Sequence, residues 1–121
     1  MKKKILCFDL DNVICSTTGN EYIKSKPKKN VIKMINEFHY TKKFIIKIFT
    51  ARGMGTYDGN VGLVKKNLYK LTKNQLNTWK LNYDELVMGK ISYDVFVDDK
   101  CFGFKKDWHV DFKKKYLKQN N

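Results

Sequence analysis

Arginine is all but absent from this 121-residue chain: of 25 basic residues, 24 are lysine and the other is Arg52. The formal charge is +13, yet the lysines are spread over positions 2–4, 24–33, 42–47, 65–73 and 105–118 rather than gathered on one segment. An even spread is a compositional habit before it is a nucleic-acid surface, which concentrates its cations. Cysteine is scarce and unpatterned. Cys7, Cys15 and Cys101 are odd in number and lack a Cys-x-x-Cys spacing, which argues against a disulfide framework or a zinc site and for free thiols in a reducing compartment. Long apolar runs are missing as well. The run at residues 5–8 is interrupted by Asp9 and Asp11, too soon for the apolar region of a signal peptide, and no segment approaches the length of a membrane span. Neither a repeat nor a linker divides the chain, so a single domain over residues 1–121 is expected, soluble, cytoplasmic and without membrane contact.

What is present is a folded-protein composition, 42 % hydrophobic and 14 % aromatic. Residues 4–8 have the length and apolar character of a buried central strand. Residues 12–27 carry no period and read as a loop with a small hairpin. Pro27 is placed to open a helix, and Val31, Ile32, Met34, Ile35 and Phe38 then define one apolar helical face that ends near His39. The run Phe44-Ile-Ile-Lys-Ile-Phe leading to Thr50 predicts a second strand, so the first half is a βαβ unit with parallel strands. Gly53, Gly55 and Gly59 mark a loop, and Thr72-x-x-Gln75 reads as a capping box inside a region of two helices or one broken helix between about 60 and 80. Leu86-Val-Met predicts a third strand ending at Gly89-Lys90. Asp94-Val-Phe-Val predicts a fourth, ending at Asp98-Asp99.

Each predicted strand thus ends in polar residues: Asp9 and Asp11, Thr50, Lys90, and Asp98 with Asp99. Parallel strands align their C-terminal ends along one edge, where open α/β sheets place their ligands. Two carboxylates at the end of a core strand are costly without a cation or a phosphoryl group to meet them. A carboxylate nucleophile, a second carboxyl group, a hydroxyl, an ammonium and a further acid form a phosphoryl-transfer set. In such a set Asp9 attacks, Asp11 moves the proton, Thr50 and Lys90 hold phosphoryl oxygens, and Mg²⁺ reconciles the anions.

The same residues carry a resemblance. F-D-L-D-N-V-I, I-F-T, G-K and V-D-D stand in the order of the four motifs of haloacid-dehalogenase-like phosphatases, from residue 4 to about 103. The resemblance implies an α/β fold with three Rossmann-like layers around a central, mostly parallel sheet. It implies Asp9 as nucleophile, Asp11 as acid/base, and Thr50 and Lys90 as phosphate ligands. It also implies Mg²⁺ held by Asp9, the Asp11 carbonyl and Asp98, with Asp99 as an outer or alternative ligand. Asn12-Val13 departs from the Gly-Thr of many members. T-A-R-G, T-x-x-Q-L-x-x-W and M-G-K…V-D-D-K further resemble small phosphatases of capsular polysaccharide biosynthesis, which implies a phosphorylated sugar or related metabolite in a bacterial cell.

Only 38 residues separate Asp11 from Thr50 and 39 separate Thr50 from Lys90, room for a flap but no cap domain. Water exclusion would then fall to loops 16–26 and 53–60, to a partner subunit in a homo-oligomer, or to a large substrate. Arg52, two residues past Thr50, is a candidate bidentate grip on a substrate anion, and Tyr57, Asp58 and Asn60 share its loop. His39 and His109 read as surface residues and Trp79 as core. Two other functions fit the charge and the open site: a nucleic-acid end phosphatase, and a basic nucleic-acid-binding module whose acidic site is vestigial.

Overall fold

A computed structural model describes residues 2–117; Met1 and residues 118–121, including the last lysine of the basic tail, lie outside the described residues. Three parallel strands form the core sheet in the order β1 (Lys4–Phe8), β4 (Phe44–Thr50), β5 (Glu85–Met88). The register sets Phe8 beside Ile48 and Ile48 beside Leu86. Between β1 and β4 the chain makes the expected small hairpin, β2 (Cys15–Ser16) against β3 (Lys26–Pro27), and then helix α1 (Lys29–Tyr40). Pro27 therefore ends the hairpin, and the helix opens two residues later. The region after β4 holds a single unbroken helix, α2 (Val61–Thr78), and a last helix, α3 (Trp108–Tyr116), follows β5 at a distance.

The pattern of β4 shows why the sheet has an inside. Phe44, Ile46, Ile48 and Thr50 are buried, while the intervening residues are half-buried, the period-2 alternation of a sheet with one covered face. On β1 the same face carries Leu6 and Phe8. The apolar stripe of α1 packs there, with the rings of Phe38 and Phe44 5.0 Å apart. α3 closes the same face: Trp108 and Phe112 lie 6.0 and 5.4 Å from Phe8, and Phe112 lies 5.4 Å from Phe38. α2 is tied to the flank of α1 by Asn36, which donates to the Lys80 carbonyl and accepts from the Asn82 N–H. The other face carries Ile5, Cys7 and Glu85, which are exposed. The α/β, mostly parallel, Rossmann-like character stands.

The expected fourth strand is not formed among the described residues. Residues 91–105 carry no helix or strand, and Val95 and Val97 are 80 % and 91 % exposed. The apolar, β-branched run is right for a strand, but β1, the edge it would join, lies across the sheet from β5. No helix among the described residues is long and apolar enough to cross a membrane.

Phe112 is the ring on which α3, α1 and β1 converge. Phe112→Ala should cost about 3–5 kcal/mol, measured by urea unfolding. A loss below about 1 kcal/mol, the range of a non-core change, would show that α3 is not docked as described.

Candidate active site

The C-terminal ends of β1, β4 and β5 carry Asp9, Thr50 and Gly89-Lys90, with Asp11 and Arg52 in the first turns beyond. Past β1 the chain folds back at once: the Leu10 carbonyl accepts N–H bonds from Val13, Ile14 and Cys15. Asn12 takes φ 65° in that turn, the left-handed region where Asn is the usual substitute for glycine. Its presence in place of Gly therefore leaves the loop geometry intact. After β4, Gly53 has φ 77°, and a Cβ there would lie 2.5 Å from Leu68 Cδ1. After β5, Gly89 has φ 93°, its would-be Cβ 3.0 Å from Val61, and the Lys90 N–H donates to the Thr50 carbonyl. Gly53 follows Arg52 and Gly89 precedes Lys90, and both let the chain turn sharply there.

Asp9 and Lys90 face each other, Oδ2 to Nζ at 3.8 Å. Burial pushes the Asp9 carboxyl up from the usual carboxylate range, against the Leu10 N–H bond at 2.9 Å and the Lys90 charge, which pull it down. Burial alone would lower the Lys90 ammonium, but Tyr93 and the Asp9 charge outweigh it and hold its pKa above the usual lysine value. The rings of Tyr93 and Phe96 lie 5.3 and 5.6 Å from Lys90 Nζ, within cation–π range. Thr50 is fully buried; its hydroxyl oxygen accepts the Arg52 N–H at 3.2 Å, which leaves the hydroxyl proton to donate.

Arg52 overturns its expected role. Its side chain is buried, and every donor direction is taken within the protein. Nε donates to both Asp11 oxygens at 3.1 and 3.0 Å, and Nη2 donates to Asp11 Oδ1 at 3.0 Å and to Ser25 Oγ at 3.3 Å. Nη1 donates to Thr72 Oγ1 at 3.2 Å and Gln75 Oε1 at 2.6 Å. The Tyr22 ring lies 5.0 Å from the guanidinium carbon, and the Tyr22 hydroxyl accepts the Gly53 N–H. Arg52 thus holds Asp11 in place rather than gripping a substrate. Thr72 and Gln75, read as a helix cap, sit inside α2 three residues apart on one face and complete this cage.

Thr17 and Ser25 are site residues that the sequence pattern missed. Thr17 Oγ1 donates to Asp11 Oδ1 at 2.6 Å and lies 2.6 Å from Ser25 Oγ. They belong to the hairpin, whose fold-back over Asp11 no periodicity encodes. Of the 53–60 loop residues, Asn60 caps α2 by accepting the Leu63 N–H, Asp58 has φ 51° in a turn, and Tyr57 packs against the core. His39 lies 3.6 Å from Asp84, and Trp79 is half-buried against the core.

Asp98 and Asp99 are not brought to the others. Both lie on the exposed 91–105 segment, and Asp98 accepts the local Lys100 N–H at 2.9 Å. No group of three or more His, Cys, Asp or Glu side chains among the described residues is placed to hold a metal ion. Asp11 has its carboxylate taken by Arg52 and Thr17, so a single chain offers the Asp9 carboxylate and backbone oxygens. That gives Mg²⁺ one carboxylate and leaves it without the further one expected from Asp98 or Asp99.

No family model matches the chain, and no curated protein does. A crystal structure of an MCSG target from Vibrio cholerae is similar at 29 % identity and a TM-score of 0.76, over 93 % of this chain and 98 % of that one. A chain of the Pnkp1/Rnl/Hen1 complex is similar at 14 % identity and a TM-score of 0.51, over 95 % of this chain and 34 % of that one, a likeness of fold alone.

Two outcomes test the site. Arg52→Lys keeps the charge but not the planar fork, and orphans Thr72 and Gln75. It should lose about 3 kcal/mol of stability, measured by denaturant unfolding; an unchanged midpoint would return Arg52 to a substrate role. For Asp9 the raised carboxyl pKa means that its stabilising contribution is complete below the unfolded value and is lost as pH rises through the folded one. Asp9→Asn should therefore raise Tm at neutral pH, and the gain should shrink on acidification through the carboxylate range. A lower Tm at neutral pH would show that the Lys90 contact, not burial, dominates.

Proposed function

We propose that the chain is a phosphomonoesterase of the haloacid-dehalogenase-like kind, acting on a small phosphorylated metabolite such as a sugar phosphate or a related capsule precursor. The observation that carries this reading is the meeting of Asp9, Asp11, Thr50 and Lys90 at one sheet edge, with Asp9 3.8 Å from Lys90 and Asp11 fixed by Arg52. A set of strand-end residues that converges in this way is the arrangement open α/β sheets use for ligands. The three-layer architecture that accompanies this reading is proposed with it, as is a cytoplasmic setting, which the three free thiols support.

In the proposed reaction an Asp9 carboxylate oxygen attacks phosphorus, a P–O bond to the substrate forms an aspartyl-phosphate, and the bond to the leaving oxygen breaks. Asp11 delivers a proton to that oxygen, then takes one from the water that cleaves the acyl-phosphate, so the enzyme is regenerated and inorganic phosphate departs. Lys90 neutralises charge on the transferring group, and the Thr50 hydroxyl donates to one of its oxygens. The Arg52 fork fixes the Asp11 carboxylate, a positioning role. With only the β2–β3 hairpin and the 53–60 loop flanking the edge, the site is open, in keeping with the short spacings between motifs.

Asp9→Asn should abolish phosphate release while far-UV circular dichroism is retained. Undiminished release from that variant would refute the reading. A panel of sugar phosphates, nucleotides and 3′-phosphorylated oligonucleotides, run with Mg²⁺, separates the metabolite substrate from a nucleic-acid end. Preference for the oligonucleotides would move the assignment to end repair, which the +13 charge would then help to explain.

A further inference from the structure

β1 pairs with β4 on one side, and among the described residues its other edge pairs with nothing. A free edge strand presents unpaired N–H and C=O groups that readily take another strand. Ile5, on this strand, is 51 % exposed, and Cys7 is exposed. The same chain carries an unpaired piece that suits such an edge. Residues 95–97 are a β-branched and aromatic run suited to a strand, Val95 and Val97 stand in water, and the excursion is anchored at both ends, by β5 before it and α3 after it. An ordered loop of this length without secondary structure is unusual unless it has a function.

We propose that the free edge of β1 is filled by the 94–99 segment of a second copy of the chain, in a reciprocal exchange that brings the partner's Asp98 and the partner's Asp99 to the strand end holding Asp9. Reach decides between a second copy and the chain's own segment. With Val97 level with Phe8, a parallel strand would put Asp94 three strands across and five residues below Met88. That is a separation of about 22 Å for strands about 4.8 Å apart rising about 3.3 Å per residue. The six peptide steps from Met88 to Asp94 span at most about 20–22 Å when fully extended. The limit is met only by a straight line through β4 and β1, so a real path around the sheet falls short.

Charge points the same way. Residues 92–99 carry Asp94, Asp98 and Asp99 and no cation, whereas β1 is entered through Lys2, Lys3 and Lys4. Parallel alignment sets Asp94 beside that basic start, so the acidic arm meets the basic strand. An isologous exchange makes two such contacts per dimer and covers the exposed valines of both copies. At the other end of the strand it supplies the carboxylate that a single chain lacks for a divalent cation beside Asp9. This last point rests on the phosphatase reading; the exchange itself does not.

Three measurements test it. Light scattering should give twice the 14.4 kDa chain mass, and Val95→Lys with Val97→Lys should give a folded monomer; a monomeric wild type overturns the proposal. In a Cys101→Ser background, oxidation of Phe96→Cys, which this register sets level with Cys7 on the same face, should form a disulfide between two chains, seen as a dimer on a non-reducing gel. A disulfide within one chain, or no crosslink, overturns it. Finally, Asp9→Asn and Asp98→Asn/Asp99→Asn, each inactive alone, should recover about a quarter of wild-type phosphate release after unfolding and refolding together, because a mixed dimer rebuilds one of its two sites. No recovery from variants that still dimerise and crosslink would refute the shared site, whereas an inactive wild type that dimerises and crosslinks would refute only the phosphatase reading.

Discussion

The fork between Arg52 and Asp11 is the constraint around which the rest of the site is arranged. An Arg–carboxylate pair withdrawn from water is stable when the guanidinium's remaining donors are also satisfied. Here Thr72, Gln75, Ser25 and the Tyr22 ring supply those contacts. They come from α2 and from the loop of the β2–β3 hairpin, so one side chain fixes two separate pieces of chain against the end of β1. Removing the fork would loosen the hairpin as well as Asp11.

Asp9 is held differently. It has one backbone hydrogen bond and a lysine at salt-bridge range, and its burial outweighs both. The contrast divides the two carboxylates by environment: Asp11 is braced by many partners, and Asp9 is left under-compensated. An under-compensated anion at the end of a buried strand is destabilising in the resting chain.

Much of this was legible in the sequence, for identifiable reasons. β1, β4 and β5 are short apolar runs with polar ends, and α1 has a complete apolar stripe; local pattern determines such elements, and the structure has them within one or two residues. The convergence of Asp9, Thr50 and Lys90 followed from parallel topology alone. Two readings failed because they turned on non-local facts. Asp94-Val-Phe-Val has a strand's composition, but composition says what a segment can form, not whether an edge lies within its reach. Arg52 looked like a substrate grip because a lone cation beside a strand end gives no sign of its burial. The available clue was Thr72 and Gln75, three residues apart in a helical stretch and therefore on one face.

The scarcity of arginine acquires a practical meaning once its position is known. A dicarbonyl reagent selective for guanidinium groups would find one target in this chain, and that target is 1 % exposed. Lysines everywhere else are blind to such a reagent. Modification would therefore proceed only as fast as the hairpin lifts from α2 or the whole domain opens. The chain carries a built-in clock for its own opening, set at the centre of the site it protects.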